Sequence, residues 1–271
     1  MVGVALAGGV LVGLGLFVGG ALAARDTELG GDDLVDEHTT TSSTAAPTTT
    51  TLVTTTTTAP TTTTTVPPPA GADGTLEPGE SGAEVTALQT RLSELGYWLG
   101  SPDGTYGQLT RQAVMAFQKA QGLSRDGVAG PASLAALQGA GRAVPHDPSG
   151  SHIEIDLDRQ IILVVQDGQV RWALNTSTGS GEAYASPSGG SAIAATPRGT
   201  FAVQREIDGL RRAPLGTLYR PKYFHGGIAI HGAGQIPAHP ASHGCARVTN
   251  SAMDLLWSSG VTAIGTPVLV Y

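Results

Sequence analysis

The chain of 271 residues has a single cysteine, Cys245, within the stretch "IAIHGAGQIPAHPASHGCARV" at residues 228–248. His243 lies two positions before it and His231 fourteen. A thiol is mostly protonated near neutral pH, and the thiolate is the nucleophile. A neighbouring imidazole either takes the proton or stabilises the thiolate as an ion pair. His231 ends the apolar run "GIAIHG", read as a short buried strand, which is a rigid seat for a base that meets the sulfur across the fold. In extended backbone, residues two apart share a face, so His243 also approaches Cys245. We assign His231 as proton donor and acceptor and His243 as an auxiliary group. Gly244 lets the chain turn tightly, and the Gly244 and Cys245 amides are the candidates for an oxyanion hole. Ser242 is a candidate for orienting a histidine, and Arg247 offers a fixed charge for a substrate carboxylate. Tyr223 is counted with Ser242 and Arg247 among the substrate-binding residues. His231, His239, His243 and Cys245 match no usual zinc spacing, and His239 reads as a loop residue. The pattern points to thiol nucleophilic catalysis with neither metal nor cofactor.

The segments that carry this thiol suggest where it works. Residues 1–24 have no charged side chain and end in Ala21-Leu22-Ala23-Ala24. Such a run is a signal peptide or a membrane anchor, and either sends the remainder outside the cytoplasm. Residues 25–70 form a disordered stalk dominated by Thr and Pro, with too few large apolar residues to bury a core. Extended at about 3 Å per residue, its Thr/Pro tract would reach on the order of 90 Å. One cysteine cannot close an internal disulfide, and an unpaired exported thiol is usually avoided, so Cys245 needs a chemical reason. The net charge of −7, from 15 basic and 22 acidic residues without a basic cluster, excludes nucleic acid as a natural partner.

Residues 76–140 read as a small all-α module of three helices. Val85, Leu88, Leu92 and Leu95 recur at helical spacing, with Ser81 and Glu84 as a capping box and Gly96 as the stop. Val114 and Phe117 face inward in the second helix, which stops at Gly122. Pro131 opens a third helix that buries Leu134 and Leu137. "DGTYG" at 103–107 and "DGVAG" at 126–130 repeat a tight turn before a helix, which suggests a duplicated unit. Tyr97, Trp98 and Tyr106 sit near these turns, where aromatics more often pack than line a groove. The string "LQTRLSELGYW…DGTYGQLTRQAVMAFQKAQGL…DGVAGPASLAAL" resembles the peptidoglycan-binding domain of cell-wall hydrolases and transpeptidases. That resemblance implies a module that holds the enzyme on wall glycan or stem peptide. The module reads as a separable anchor, whose deletion is expected to weaken wall retention without removing activity on a soluble muropeptide.

Residues 150–271 read as mainly β, a sandwich or barrel of short strands. The exception is the helix "NSAMDLLWSSG", capped by Asn250, with Met253, Leu255 and Leu256 inward and Gly260 at its end. "STG" at 177–179, "TPRGTF" at 196–201, "IHG", "SHGCAR" and the closing "GTPVLVY" together resemble the L,D-transpeptidase catalytic domain. The resemblance implies Cys245 as nucleophile, His231 as base and His243 in the site. It implies cleavage between the third residue of a stem tetrapeptide, usually diaminopimelate, and the terminal D-Ala. A thioester would form, an amine would resolve it into a 3→3 cross-link, and carbapenems would acylate the same cysteine. Water in place of the amine would make the protein an L,D-carboxypeptidase, and a protein amine would make it a wall-anchoring transpeptidase. A non-catalytic peptidoglycan-binding protein is the alternative of a different class.

Overall fold

The computed structural model describes residues 74–271, all within one compact unit. The expected signal or anchor at 1–24 and the stalk at 25–70 lie outside the described residues. Among those described, no helix is long and apolar enough to cross a membrane.

The module is built on α1 (Ala83–Glu94), α2 (Gln108–Gln121) and α3 (Pro131–Gly139). Val85, Leu88, Leu92 and Leu95 pack with Val114, Phe117, Leu134 and Leu137, as the helical spacing predicts. Gly122 ends α2 with φ 68, a left-handed cap that glycine adopts without strain. The predicted Ser81–Glu84 box is not formed: the residue before α1 is Gly82, and no side chain caps the helix. The entry to α1 is set by tertiary pairing instead. Ser81 bridges to Thr105, and the Gly82 amide donates to Gly104 O at 2.8 Å.

The two Asp-Gly turns are equivalent in three dimensions, and each is pinned by a buried glutamine. Gln89 Nε2 donates to Asp103 Oδ1, Thr105 O and Thr110 Oγ1, while its Oε1 accepts from the Gly104 amide. Gln118 repeats the set with Asp126 Oδ1, Val128 O, Ser133 Oγ and the Gly127 amide. Tyr97 and Tyr106 are fully buried: Tyr97 stands edge-on to Phe117, and Tyr106 donates its hydroxyl to Gly127 O. Trp98 packs partly against the core of the β domain.

The β domain runs β1 (His152–Asp156), β2 (Ile161–Gln166), β3 (Gln169–Asn175), β4 (Ala183–Ala185), β5 (Ser191–Ile193) and β6 (Gly199–Ala202). It continues with β7 (Arg205–Glu206), β8 (Leu210–Ala213), β9 (Gly216–His225), β10 (Ile228–Ala233), β11 (Ala246–Thr249), α4 (Asn250–Ser258) and β12 (Pro267–Val270). One sheet has the order β3-β2-β1-β12-β6, and a second has β11-β10-β9-β7 with β8 paired to β9. β4 and β5 form a separate hairpin. Ile153, Ile155, Ile162, Val164, Val268 and Val270 of the first sheet share a core with Phe224, Ile230 and Val248 of the second, closed by Met253 and Leu256 of α4. The cap of α4 is Thr249, whose Oγ1 accepts from the Ala252 amide, rather than the expected Asn250, and Leu255 is only half-buried.

The run "IILVV" in β2 is apolar without alternation because both faces of the first sheet are covered. Ile162 and Val164 face the inter-sheet core, whereas Ile161, Leu163 and Val165 join Val170 and Ala173 in the core of the helical module. Residues 96–98 also continue the sheet past β3: Ala173 N donates to Gly96 O at 2.8 Å, and Trp98 N donates to Ala173 O at 3.3 Å. Arg142 spans the two parts, donating to Glu94 O on one side and to Val170 O and Arg171 O on the other. Lys119 of α2 is 1 % exposed, and its ammonium donates to Gln160 O, Thr176 O and Asn175 Oδ1 of the β domain. Burial, reinforced by the charge of Arg125, pulls this ammonium down to about 7; the three acceptors offset that cost. The sequence reading of a separable anchor is therefore corrected: the module and the β domain share a core.

Candidate active site

His231 is carried by β10, between Ile230, which faces the inter-sheet core, and Gly232. The period of two along the strand turns Ala229 and His231 to the opposite face. There Ala229 packs with Leu218, Tyr223 and Cys245. β11 runs parallel to β10 with Ile230 opposite Ala246 and His231 opposite Arg247. Cys245 immediately precedes β11, so the parallel pairing sets Arg247 opposite His231 and brings the thiol to the wall of the cavity that His231 also lines, with Sγ 3.9 Å from Gly227 O. None of this register is visible in the fourteen-residue separation of His231 and Cys245.

Gly244 has φ +133, and a Cβ there would sit 2.9 Å from Ala195 O. The turn before the cysteine therefore requires glycine. Ser242 closes that turn: its hydroxyl donates to Cys245 O at 2.6 Å and accepts from the Gly244 amide at 3.0 Å. Two expectations change here. Ser242 orients no histidine, because its hydroxyl is used within the turn. The Gly244 amide, expected in the oxyanion hole, is already engaged by Ser242. Thr196, which opens the "TPRGTF" motif but was assigned no role there, fixes the other side by donating its Oγ1 to Gly244 O at 2.6 Å and accepting from the Gly179 amide.

His231 is 5 % exposed, and its Nδ1 lies 2.8 Å from the Gly232 carbonyl oxygen. A carbonyl oxygen only accepts, so Nδ1 carries the proton and the lone pair of the neutral ring is on Nε2. Burial, aided by the positive charge of Arg247, pushes this imidazole down to about 4. Burial pushes the Cys245 thiol up, and the Ala229 backbone hydrogen bond only partly offsets this. Both groups are thus neutral at pH 7, which favours direct proton transfer over a preformed thiolate–imidazolium pair.

Cys245, His231, His243, Ser242, Arg247 and Tyr223 all line one cavity of about 550 Å³. His243 is exposed and meets the Tyr184 ring edge-on at 4.7 Å between centroids. The Tyr223 ring carries the Arg205 guanidinium 3.5 Å above its centroid. Arg247 has no carboxylate within ion-pair distance among the described residues. His239 is exposed and contributes only its carbonyl, to Ser177 Oγ. The walls come from two hairpins that the motifs did not reveal: β4–β5 with Tyr184 and Ile193, and β8–β9 with Ala213, Leu215 and Leu218. Tyr184, an aromatic alone in a Ser/Gly-rich stretch, was the one available signal.

Comparison with known proteins supplies the context. The family model for the peptidoglycan binding domain matches residues 81–137. The YkuD model, described as L,D-transpeptidase catalytic domain, matches residues 150–270. The crystal structure of an L,D-transpeptidase from Xylanimonas cellulosilytica is similar with a TM-score of 0.71 and 51 % identity, over 75 % of this chain and 100 % of that one. Among curated proteins, the N-acetylmuramoyl-L-alanine amidase CwlM of Mycobacterium tuberculosis is 43 % identical over 56 residues, 21 % of this chain and 14 % of its own length. The zinc D-Ala-D-Ala carboxypeptidase of Streptomyces albus G is 46 % identical over 65 residues, 22 % of this chain and 25 % of its own length. The chain thus spans a quarter or less of these two curated relatives. The solved relative is matched over its whole length, helical module and β domain together, at an identity well beyond a shared fold. The chain belongs to the L,D-transpeptidase family of peptidoglycan enzymes.

Proposed function

We propose that the protein cross-links cell-wall peptidoglycan through an acyl-enzyme on Cys245. Its Sγ attacks the carbonyl between the third residue of a stem tetrapeptide, usually diaminopimelate, and the terminal D-Ala. His231 Nε2 takes the thiol proton as the carbon–sulfur bond forms and returns it to the departing D-Ala amine. The tetrahedral oxyanion falls to the Cys245 amide, the member of the predicted pair that Ser242 does not occupy. An amine from a neighbouring stem then attacks the thioester, His231 accepts that amine's proton and returns it to sulfur, and a 3→3 link results. Arg247 serves a substrate carboxylate, Tyr223 and Tyr184 line the groove, and His243 is auxiliary. The observation that carries this reading is the one cavity lined by both Cys245 and a neutral His231 imidazole whose Nδ1 is tied to Gly232, leaving Nε2 as base.

The same reading makes the peptidoglycan-binding module a contributor to wall association and the thiol a target for carbapenems. It sets the enzyme outside the cytoplasm, exported by the apolar N-terminal segment as a cleaved signal or a retained membrane anchor. Mass spectrometry of the full chain with a disaccharide-tetrapeptide, as wild type and as Cys245→Ala, tests it. A cross-linked dimer lacking one D-Ala, formed by wild type alone, is the expected outcome. A monomer that has merely lost D-Ala would make the enzyme a carboxypeptidase. Product from Cys245→Ala at the wild-type rate would overturn the mechanism.

A further inference from the structure

We infer that α2 of the helical module is a positioning element of the transpeptidase active site, with Lys119 and Gln112 bracing the loops that seat Cys245 and follow His231. The inference rests on the family assignment for its chemistry and on separate contacts for its geometry.

Lys119, Gln112 and Gln108 recur at helical spacing on α2 along one stripe. They are polar, yet Lys119 is 1 % and Gln112 8 % exposed. Their partners are not in the module. Lys119 donates to the carbonyl of Gln160, a buried residue held at φ 62. Gln160 in turn clasps Thr178: its Oε1 accepts from the Thr178 amide at 2.9 Å, and its Nε2 donates to Thr178 Oγ1 at 2.6 Å. The Thr178 carbonyl accepts from the amides of Ala241 and Ser242, at 3.0 and 2.9 Å. Ser242 Oγ then closes the turn on Cys245 O. The path Lys119–Gln160–Thr178–Ser242–Cys245 is a continuous run of bonds from the module to the nucleophile.

A second branch reaches β11. Lys119 donates to Thr176 O, and Thr176 Oγ1 donates to Arg247 O at 2.8 Å. Ser177 pairs with Arg247 through both backbone groups, at 3.4 and 3.0 Å. A third branch reaches the loop after His231. Asn175 Oδ1 accepts from Lys119, and Asn175 Nδ2 donates to Gln112 Oε1. Gln112 Nε2 and Gln108 Nε2 approach Ile236 O and Gly234 O at 3.5 Å. Ala233 at the end of β10 and Gln235 of this loop line the catalytic cavity. Three side chains of one helix therefore touch Gln160, the end of β3 and the loop after His231, and through Gln160, Thr176 and Thr178 they connect to β11 and the turn before Cys245. A wall anchor alone has no need of the buried contacts of Lys119 and Gln112.

A brace acts on the placement of the nucleophile rather than on the substrate groove. Misplacement of a reacting group by about 1 Å costs on the order of a hundredfold in rate. The full chain is compared with its Lys119→Met variant for turnover of the disaccharide-tetrapeptide and for backbone hydrogen exchange. The expected result is a fall in kcat of about tenfold or more with KM within about threefold. The amides of Thr178, Ala241 and Ser242 should exchange about tenfold faster, while those of the β1–β2 ladder keep their protection. An unchanged kcat, or a loss of protection spread evenly over the molecule, would overturn the inference. If Lys119→Met does not fold, Gln112→Ala, which removes only the third branch, should lower kcat about threefold or more at an unchanged melting temperature. Wild-type activity in that variant would overturn the brace. If the wild type itself forms no product, the transpeptidase reading fails, and the brace stands or falls on the exchange pattern and the rate of Cys245 alkylation by iodoacetamide.

Discussion

Cys245 and His231 are shifted in opposite senses, each toward its neutral form. Burial raises the thiol, and burial with the Arg247 charge takes the imidazole down to about 4. At neutral pH the cavity then holds an uncharged thiol and an uncharged imidazole. Alkylation of Cys245 by iodoacetamide should stay slow from pH 5 to 8, then climb above the usual thiol range as thiolate appears. A reactivity plateau across pH 5 to 8 would instead reveal a standing ion pair. With His231 as the proposed base, kcat/KM should hold down to about pH 5 and halve near pH 4. The same shift has a stability consequence. Between 6.5 and about 4 the unfolded chain binds a proton that folded His231 refuses, so this contribution is present above pH 6.5 and is lost as pH falls through that window.

At the scale of elements, the duplicated Asp-Gly turns depend on Gln89 and Gln118 as much as on the turns themselves. Each glutamine is 1 % exposed and satisfies both a carboxylate oxygen and backbone groups of its turn. Replacing either with an apolar side chain of similar length leaves buried partners unpaired, at about 1–3 kcal/mol for each group so stranded. Gln89→Met and Gln118→Met should therefore each destabilise the protein by at least about 2 kcal/mol in urea unfolding, by similar amounts. Losses below about 0.5 kcal/mol would show that water replaces the amide at little cost.

For the whole molecule, the shared core makes the module part of the catalytic unit. Removing residues 74–140 would expose Ile161, Leu163, Val165, Val170 and Ala173 on a sheet face that is covered in the intact chain. The truncated protein should aggregate or lose a cooperative thermal transition, and should be inactive even on a soluble muropeptide. A truncated chain that stays monomeric and fully active would restore the picture of a detachable anchor. The wall-binding and wall-modifying parts thus meet through a buried interface, which sets the distance between them.

The sequence alone determined the local and chemical facts. Helical spacing in "EVTALQTRLSEL", the Gly122 stop, the Pro131 start and the motif around Cys245 depend on neighbours within a few residues, and such patterns survive in one dimension. The lone thiol beside two histidines announced its chemistry in the same way. Tertiary structure decided what depends on distant partners. Polar Lys119 and Gln112 carry no local pattern that marks them as buried, and only the docking of the β domain buries them, whereas Gln118 is buried on the Asp126 turn of its own module. Ser81 and Glu84 spell a cap, yet pairing with Thr105 shaped that turn differently. The Gly244 amide looked free until the fold brought Ser242 Oγ onto it. Hydrogen bonds between residues far apart leave no periodic trace along the chain, because each is specified by where the whole fold sets its two ends.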